Sequence, residues 1–217
     1  MNIKADLLNK KSHIAVWGTG YIGLSSMVYF GKKGVICKGF DINKKKVELT
    51  NKGILTIPEL KNWFKIDIKP LSKKKIISAT SNYTDLIDKK FKVHLIAVPT
   101  EKNGRPYFKI LFNVLKKISR QIENNLKPII IIESTLTPKF TYKFIIPFFK
   151  KIGFSEKDYI LGVAPRRDWF VANTKTIENL DRVIGAKDKK TGNLIKNILS
   201  IVCDKLHVAS NYSISEM

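Results

Sequence analysis

Apolar residues along this chain fall into two alternating patterns: short unbroken runs, and longer stretches in which they recur at three- and four-residue steps. The runs begin with Ile14-Ala15-Val16-Trp17 and return at 35–40, 76–80, 92–98, 128–135, 159–164, 182–185 and 207–210. Runs of this kind, rich in β-branched residues and without polar alternation, predict strands buried on both faces. Helical spacing between them predicts helices over 21–33, 43–51, 108–122, about 138–151 and 187–204, with a short one around 83–88. The stretch through Pro58, Trp63 and Pro70 shows neither period. Strand and helix alternate throughout, which predicts an α/β fold: a mostly parallel sheet with helices on both faces.

The junction between the first strand and the first helix carries candidate chemistry. Gly18, Gly20 and Gly23 form a G-x-G-x-x-G turn, and the helix after it places Ile22, Leu24, Met27, Val28 and Phe30 on its apolar side before Lys32, Lys33 and Gly34 end it. The second strand ends at Asp41, eighteen residues after Gly23, close to the roughly 20-residue offset of a ribose-binding acid in a dinucleotide-binding unit. Each glycine has a physical role. Gly18 permits the tight turn, Gly20 admits a pyrophosphate to the backbone N–H groups at the positive helix end, and Gly23 lets the helix pack closely. A carboxylate at Asp41 accepts hydrogen bonds from the ribose hydroxyls of NAD and repels the 2′-phosphate of NADP, so the predicted cofactor is NAD on a Rossmann-like, doubly wound sheet. Lys44, Lys45 and Lys46 nearby soften that preference.

Two further polar clusters stand at strand ends: Thr100, and Glu133-Ser134-Thr135. The carboxyl ends of strands in open α/β sheets are where ligands bind, although a threonine after a strand also serves as a helix cap. "APRRDWF", 164–170, follows another strand; either Asp168 pairs with Arg166 or Arg167 at the surface, or an arginine meets an anionic ligand.

The 217 residues suit one large domain. No apolar run is long enough for a membrane span. The first twelve residues lack a signal-peptide core and are expected to be an N-terminal extension, so a cytoplasmic location is the default. Cys37 and Cys203 show neither disulfide-framework nor metal-ligand spacing and are expected to be buried packing residues, with no metal site. A formal charge of +22 suggests a polyanion partner. Against that, 40 basic residues are scattered along the whole chain and only Arg105, Arg120, Arg166, Arg167 and Arg182 among them are arginine. A solvated lysine surface is the expectation, and nucleic acid is not the expected partner.

Five segments in order, "GTGYIGLSSMVYFGKKG" with "GFDINKKKVE", "IAVPT" with "NGRP", "ESTLTP", "DRVIGAKD" and "SISEM", resemble the UDP-glucose/GDP-mannose dehydrogenase family. The resemblance implies an NAD-binding domain over 13–210 and, at 211–217, the first residues of a linking helix. It implies that Gly18, Gly20, Tyr21, Ile22 and Gly23 line the pyrophosphate, that Asp41 and Lys46 hold the adenosine end, and that Thr100 and Thr135 lie beside the nicotinamide, Thr135 also positioning water. The implied chemistry oxidises a nucleotide sugar, such as a UDP-sugar, to its uronic acid with two NAD, by way of a cysteine thiohemiacetal and thioester. The family's catalytic lysine, asparagine and cysteine have no counterpart up to Met217, so the expectation is a chain that binds NAD without turnover unless a complementing chain or a homodimer completes the site. A stand-alone NAD-binding module and a polyanion-binding protein remain the alternatives. One departure stands out: Arg166 occupies the place of the family's glutamate, and a guanidinium cannot exchange a proton as a carboxylate does.

Overall fold

A computed structural model of the chain describes residues 2–64, 67–168 and 176–217. In chain order the elements are α1 (Ile3–Leu8), β1 (Ile14–Trp17), α2 (Tyr21–Lys32), β2 (Cys37–Phe40), α3 (Lys44–Asn51), α4 (Leu60–Phe64), α5 (Lys69–Lys73), β3 (Ile77–Thr80), a 3₁₀ turn at Tyr83–Leu86 and β4 (Val93–Ile96). There follow a small hairpin of β5 (Glu101–Lys102) and β6 (Arg105–Pro106), α6 (Lys109–Glu123), β7 (Ile129–Ile132), a π-helical turn at Thr141–Ile145 running into α7 (Ile146–Lys151), and β8 (Ile160–Val163). The chain closes with β9 (Arg182–Ala186), α8 (Lys189–Leu199), β10 (Leu206–Val208) and α9 (Tyr212–Ser215).

Eight strands form one sheet in the order β10-β9-β8-β7-β4-β1-β2-β3. Every neighbouring pair is parallel except β8 with β9. From β1 the chain moves outward to β2 and β3, then crosses back to pair β4 with β1 on the other side. That reversal opens a crevice beyond the carboxyl ends of β1 and β4, the switch point where open α/β sheets bind ligands.

Period-two alternation divides the strands between two cores, one on each face. Ile14 and Val16 of β1, with Ile129 and Ile131 of β7, meet Leu24, Met27 and Phe30 of α2 and Ile195 and Ile198 of α8. Ala15, Trp17, Ile130 and Ile132 face Leu111, Leu115 and Ile118 of α6 and Phe149 of α7. The unbroken isoleucine run of β7 is thus read twice, once by each layer of helices.

Four segments differ from their sequence expectations. The first twelve residues do not extend from the domain: Asn2 caps α1 through the Ala5 N–H, and Ile3 and Leu7, one helical turn apart, are buried in the α2/α8 core. Residues around 58–73 form α4 and α5, with Trp63 and Phe64 packed under Tyr29; each helix is too short to show a period. The helix expected near 138–151 opens as a π turn because Pro147, lacking an N–H, cannot continue the regular ladder, and the widened turn upstream absorbs the missing bond. The helix expected to reach 204 ends at Leu199, although Ile201, Val202 and Cys203 beyond it stay buried.

One polar group lies deep in the α6-side core. His94 on β4 is fully buried; its Nδ1 accepts from Trp17 Nε1 at 3.0 Å, so Nε2 carries the proton toward Gln121 Oε1 at 2.9 Å. Gln121 in turn donates to the carbonyl oxygens of Phe91 and Asp88. Burial pushes the His94 pKa down to about 4, against about 6.5 in an unfolded chain. Between those values the unfolded state binds a proton that the folded state refuses. The stabilisation is therefore complete above pH 6.5 and is lost as pH falls toward 4, by at most about 3 kcal/mol. Melting temperatures measured across that window should fall with a one-proton slope that His94→Gln removes; equal slopes for both chains would contradict the assignment.

Candidate functional site

Four strand ends converge on one cavity of about 810 Å³. The turn after β1 supplies Gly18 to Ile22, the end of β2 supplies Phe40 to Asn43, and the ends of β4 and β7 supply Ala97 to Thr100 and Glu133 to Thr135. Lys46 of α3 and Arg166 after β8 complete the wall with one face of α6. Of the residues singled out in the sequence, Gly18, Gly20, Tyr21, Ile22, Asp41, Lys46, Thr100, Thr135 and Arg166 all line this space.

Gly23 is the exception. It is buried behind the turn, and a Cβ there would overlap the Gly18 carbonyl oxygen and press on Val16. Its bareness lets α2 pack onto the turn; it does not contact the cavity. Gly18 has φ +91°, and a Cβ would come within 2.7 Å of the Ala97 carbonyl oxygen, so the turn is glycine by both conformation and space. At Gly20 a Cβ would meet nothing within 4 Å. Gly20 is the N-cap of α2, and no side chain caps that end. An open approach to an uncapped helix start is what a pyrophosphate requires, so the residues fit the cofactor that the fingerprint implies.

Asp41 is already held on both oxygens. Oδ2 accepts from Thr19 twice, from the hydroxyl at 2.7 Å and the N–H at 3.2 Å. Oδ1 accepts the Asn43 N–H at 2.9 Å. The sequence expectation that one carboxylate serves both ribose hydroxyls is thereby narrowed, since Oδ1 is the oxygen with acceptor capacity to spare. Beside it, Lys117 of α6 lies over the Phe40 ring at 4.8 Å and the Tyr83 ring at 5.2 Å. Lys117 and Asn113, one turn apart, border the cavity with Ile110 and Val114. Sequence reading assigned them no role, although two polar positions flanking the apolar stripe of an amphipathic helix were visible there.

Across the cavity the Thr100 hydroxyl donates to the Thr135 carbonyl oxygen at 2.7 Å, tying the β4 and β7 ends together. Ser134 reinforces the tie by donating to the Val98 carbonyl oxygen at 2.7 Å. Thr135 itself is exposed on the rim.

Behind the rim lies a buried ionic network. Glu133 Oε1 accepts from Arg182 Nη2 at 2.8 Å and Oε2 from the Ser26 hydroxyl at 2.7 Å. Arg182 also donates to the Ala164 carbonyl oxygen at 2.6 Å. Arg166 Nη1 donates to Ser26 Oγ at 2.8 Å and to the Ile22 carbonyl oxygen at 3.1 Å, while Nη2 pairs with Asp168. All four charged side chains have no exposed surface. The pairing of Asp168 with Arg166 expected from the sequence is formed, but it is buried and not at the surface. Burial raises the Asp168 carboxyl above its usual range, with Arg166 opposing the shift. Trp169 and Phe170 of the same segment lie outside the described residues. Ser26 and Arg182 were not foreseen, because Ser26 falls within an otherwise apolar helix face and Arg182 opens a strand.

Both thiols are buried and free, neither borders the cavity, and burial pushes both up from the ordinary thiol range. Among the described residues no helix is long and apolar enough to cross a membrane.

Comparison with known proteins places these features in context. Residues 12–202 match the UDP-glucose/GDP-mannose dehydrogenase family, NAD binding domain. The chain is 27% identical over 208 residues to Protein CapL of Staphylococcus aureus, covering 94% of this chain and 46% of that protein. It is 27% identical over 213 residues to the UDP-N-acetyl-D-glucosamine 6-dehydrogenase of Pseudomonas aeruginosa, covering 95% and 48%. Among solved structures, the UDP-D-ManNAc dehydrogenase of Pyrococcus horikoshii superposes with a TM-score of 0.81 at 26% identity, over 94% of this chain and 48% of that one. The chain spans about half the length of these relatives.

Proposed function

The chain belongs to the UDP-glucose/GDP-mannose dehydrogenase family, whose NAD-binding domain it carries, and from that premise we propose that it supplies the NAD-holding half of a nucleotide-sugar 6-dehydrogenase of polysaccharide biosynthesis. The observation that carries this reading is the convergence of the Gly18–Thr19–Gly20 turn, Asp41, Thr100 and Thr135 on one cavity at the switch point of the sheet. In this reading the backbone from Gly18 to Ile22 holds the pyrophosphate, helped by the positive end of α2. Asp41 and Lys46 take the adenosine end, and Thr100 and Thr135 stand on the nicotinamide side. Bound NAD supplies the hydride acceptor for oxidation of the sugar alcohol.

The relatives' names point to UDP-linked amino sugars as the substrate class. Arg166 then stands where that second ligand approaches. Its guanidinium is buried and committed to Ser26, the Ile22 carbonyl oxygen and Asp168, so it braces that wall of the cavity and has no part in proton exchange. Neither Cys37 nor Cys203 is placed for a thiohemiacetal, so the thiol of the family's chemistry has to come from outside these 217 residues.

Calorimetric titration tests the cofactor assignment directly. NAD should bind more tightly than NADP, and Asp41→Asn should narrow that preference roughly tenfold or more, the usual weight of a hydrogen bond to a charged acceptor together with the lost repulsion of a 2′-phosphate. Equal affinity for the two cofactors in the unaltered chain would overturn the ribose placement.

A further inference from the structure

We propose that Thr19 is a positioning residue for cofactor selection, holding the Asp41 carboxylate so that discrimination between NAD and NADP depends on the Thr19 hydroxyl as well as on the acid. The inference rests on the placement of the adenosine ribose at Asp41 and goes beyond it by naming what makes that acid selective.

Thr19 is the middle residue of the glycine turn, between two glycines that border the cavity, and yet it is fully buried. Its side chain turns inward with both ends occupied. The hydroxyl and the N–H converge on Asp41 Oδ2. The methyl Cγ2 lies over Gly39 of β2, where an added Cβ would come within 2.6 Å of it and 2.7 Å of Met27 Sδ. Gly39 is therefore the complement of Thr19: a larger residue in β2 would push the threonine off its seat.

The consequence for Asp41 is geometric. Thr19 fills both acceptor positions of Oδ2, and the Asn43 N–H takes one position of Oδ1. Donors on both oxygens, from the turn after β1 and from the start of α3, keep the carboxylate plane from rotating. Oδ1 is left with one acceptor position, enough for one ribose hydroxyl. The charge stays fixed at the rim, where a 2′-phosphate would meet it. Without the hydroxyl, the carboxylate gains freedom to turn toward the cations that follow it, Lys44, Lys45 and Lys46. Both the preorganised acceptor and the repulsion then weaken.

The experiment compares the unaltered 217-residue chain with Thr19→Val and Thr19→Ser, each titrated with NAD and with NADP. Valine keeps the shape and the methyl contact but removes the hydroxyl. The expected result is a fall in the NAD-to-NADP affinity ratio of about tenfold in Thr19→Val, with the ratio restored in Thr19→Ser. A merely structural role would lower the melting temperature or weaken both cofactors alike and leave the ratio unmoved. Should Thr19→Val not fold, Thr19→Ala, which removes the hydroxyl without adding bulk, carries the same comparison. An unchanged or increased ratio in the variant lacking the hydroxyl overturns the inference while the ribose placement stands. Loss of preference already in the unaltered chain overturns both.

Discussion

Replacing Gly20 with valine is expected to weaken NAD binding at least about 100-fold, or ~2.7 kcal/mol, while the domain stays folded. The two effects separate because of where the new side chain goes. A Cβ at Gly20 meets no protein atom within 4 Å, and the backbone there, at φ −75° and ψ −164°, is extended conformation open to a β-branched residue. The added bulk therefore enters the cavity in front of the α2 N-terminus, which a pyrophosphate must reach. Loss of glycine as N-cap costs under about 1 kcal/mol, a few degrees of melting temperature for a chain of this size. Gly23→Ala is the informative control. Its Cβ would collide with the Gly18 carbonyl oxygen, so melting and binding should fall together. If Gly20→Val instead loses its fold along with its affinity, the turn is structural and the pyrophosphate assignment fails.

The second large effect concerns the ionic network under the rim. Glu133→Leu should destabilise the fold by about 3–5 kcal/mol, the cost of leaving a buried charge without its partner, or roughly 10–15 °C in melting temperature. Arg182→Met should cost less, and the asymmetry follows from proton chemistry. A carboxylate stripped of its guanidinium can take up a proton and become neutral, still holding Ser26, whereas a guanidinium cannot shed its charge. With Glu133 gone, Arg182 and Arg166 remain in the interior with Asp168 as the carboxylate of the network. The double variant should recover much of the loss, because two apolar side chains of similar volume can replace a buried pair with little net cost. Thermal denaturation of the two single variants and the double variant forms the cycle. Strict additivity would show that the pair is not coupled.

These two predictions rest on unequal foundations in the sequence. The role proposed for Gly20 was legible in the sequence alone, because the fingerprint is local: strand, turn and helix follow one another within a few residues, and the acid lies at the end of the next strand. Glu133 was noticed as part of a polar strand end, but its partners were not. Ser26 lies 107 residues from it and Arg182 lies 49 residues away, and no local period links positions so far apart. The Arg166 and Asp168 pair was foreseen from proximity in the chain, yet its burial was not, since a charged dipeptide next to an aspartate reads as surface. The same limit applies to α1, whose two buried residues make too short a pattern to announce packing.

By itself, then, the sequence determined the strand–helix alternation, the parallel and doubly buried character of the sheet, the glycine turn and the acid beyond it, because each depends on periods and spacings within one or two elements. It also determined, through five motifs in order, the family expectation that the comparison of residues 12–202 bears out. Tertiary structure alone decided which side chains share a space. It placed Lys117 and Asn113 on the cavity wall, moved Gly23 behind it, buried Thr19 against Gly39, and sank four charges beneath the rim. The physical reason is that hydrogen bonds and ion pairs are set by approach in space. In a doubly wound sheet, strand ends scattered between residues 17 and 166 meet at one edge only after every crossover has been made.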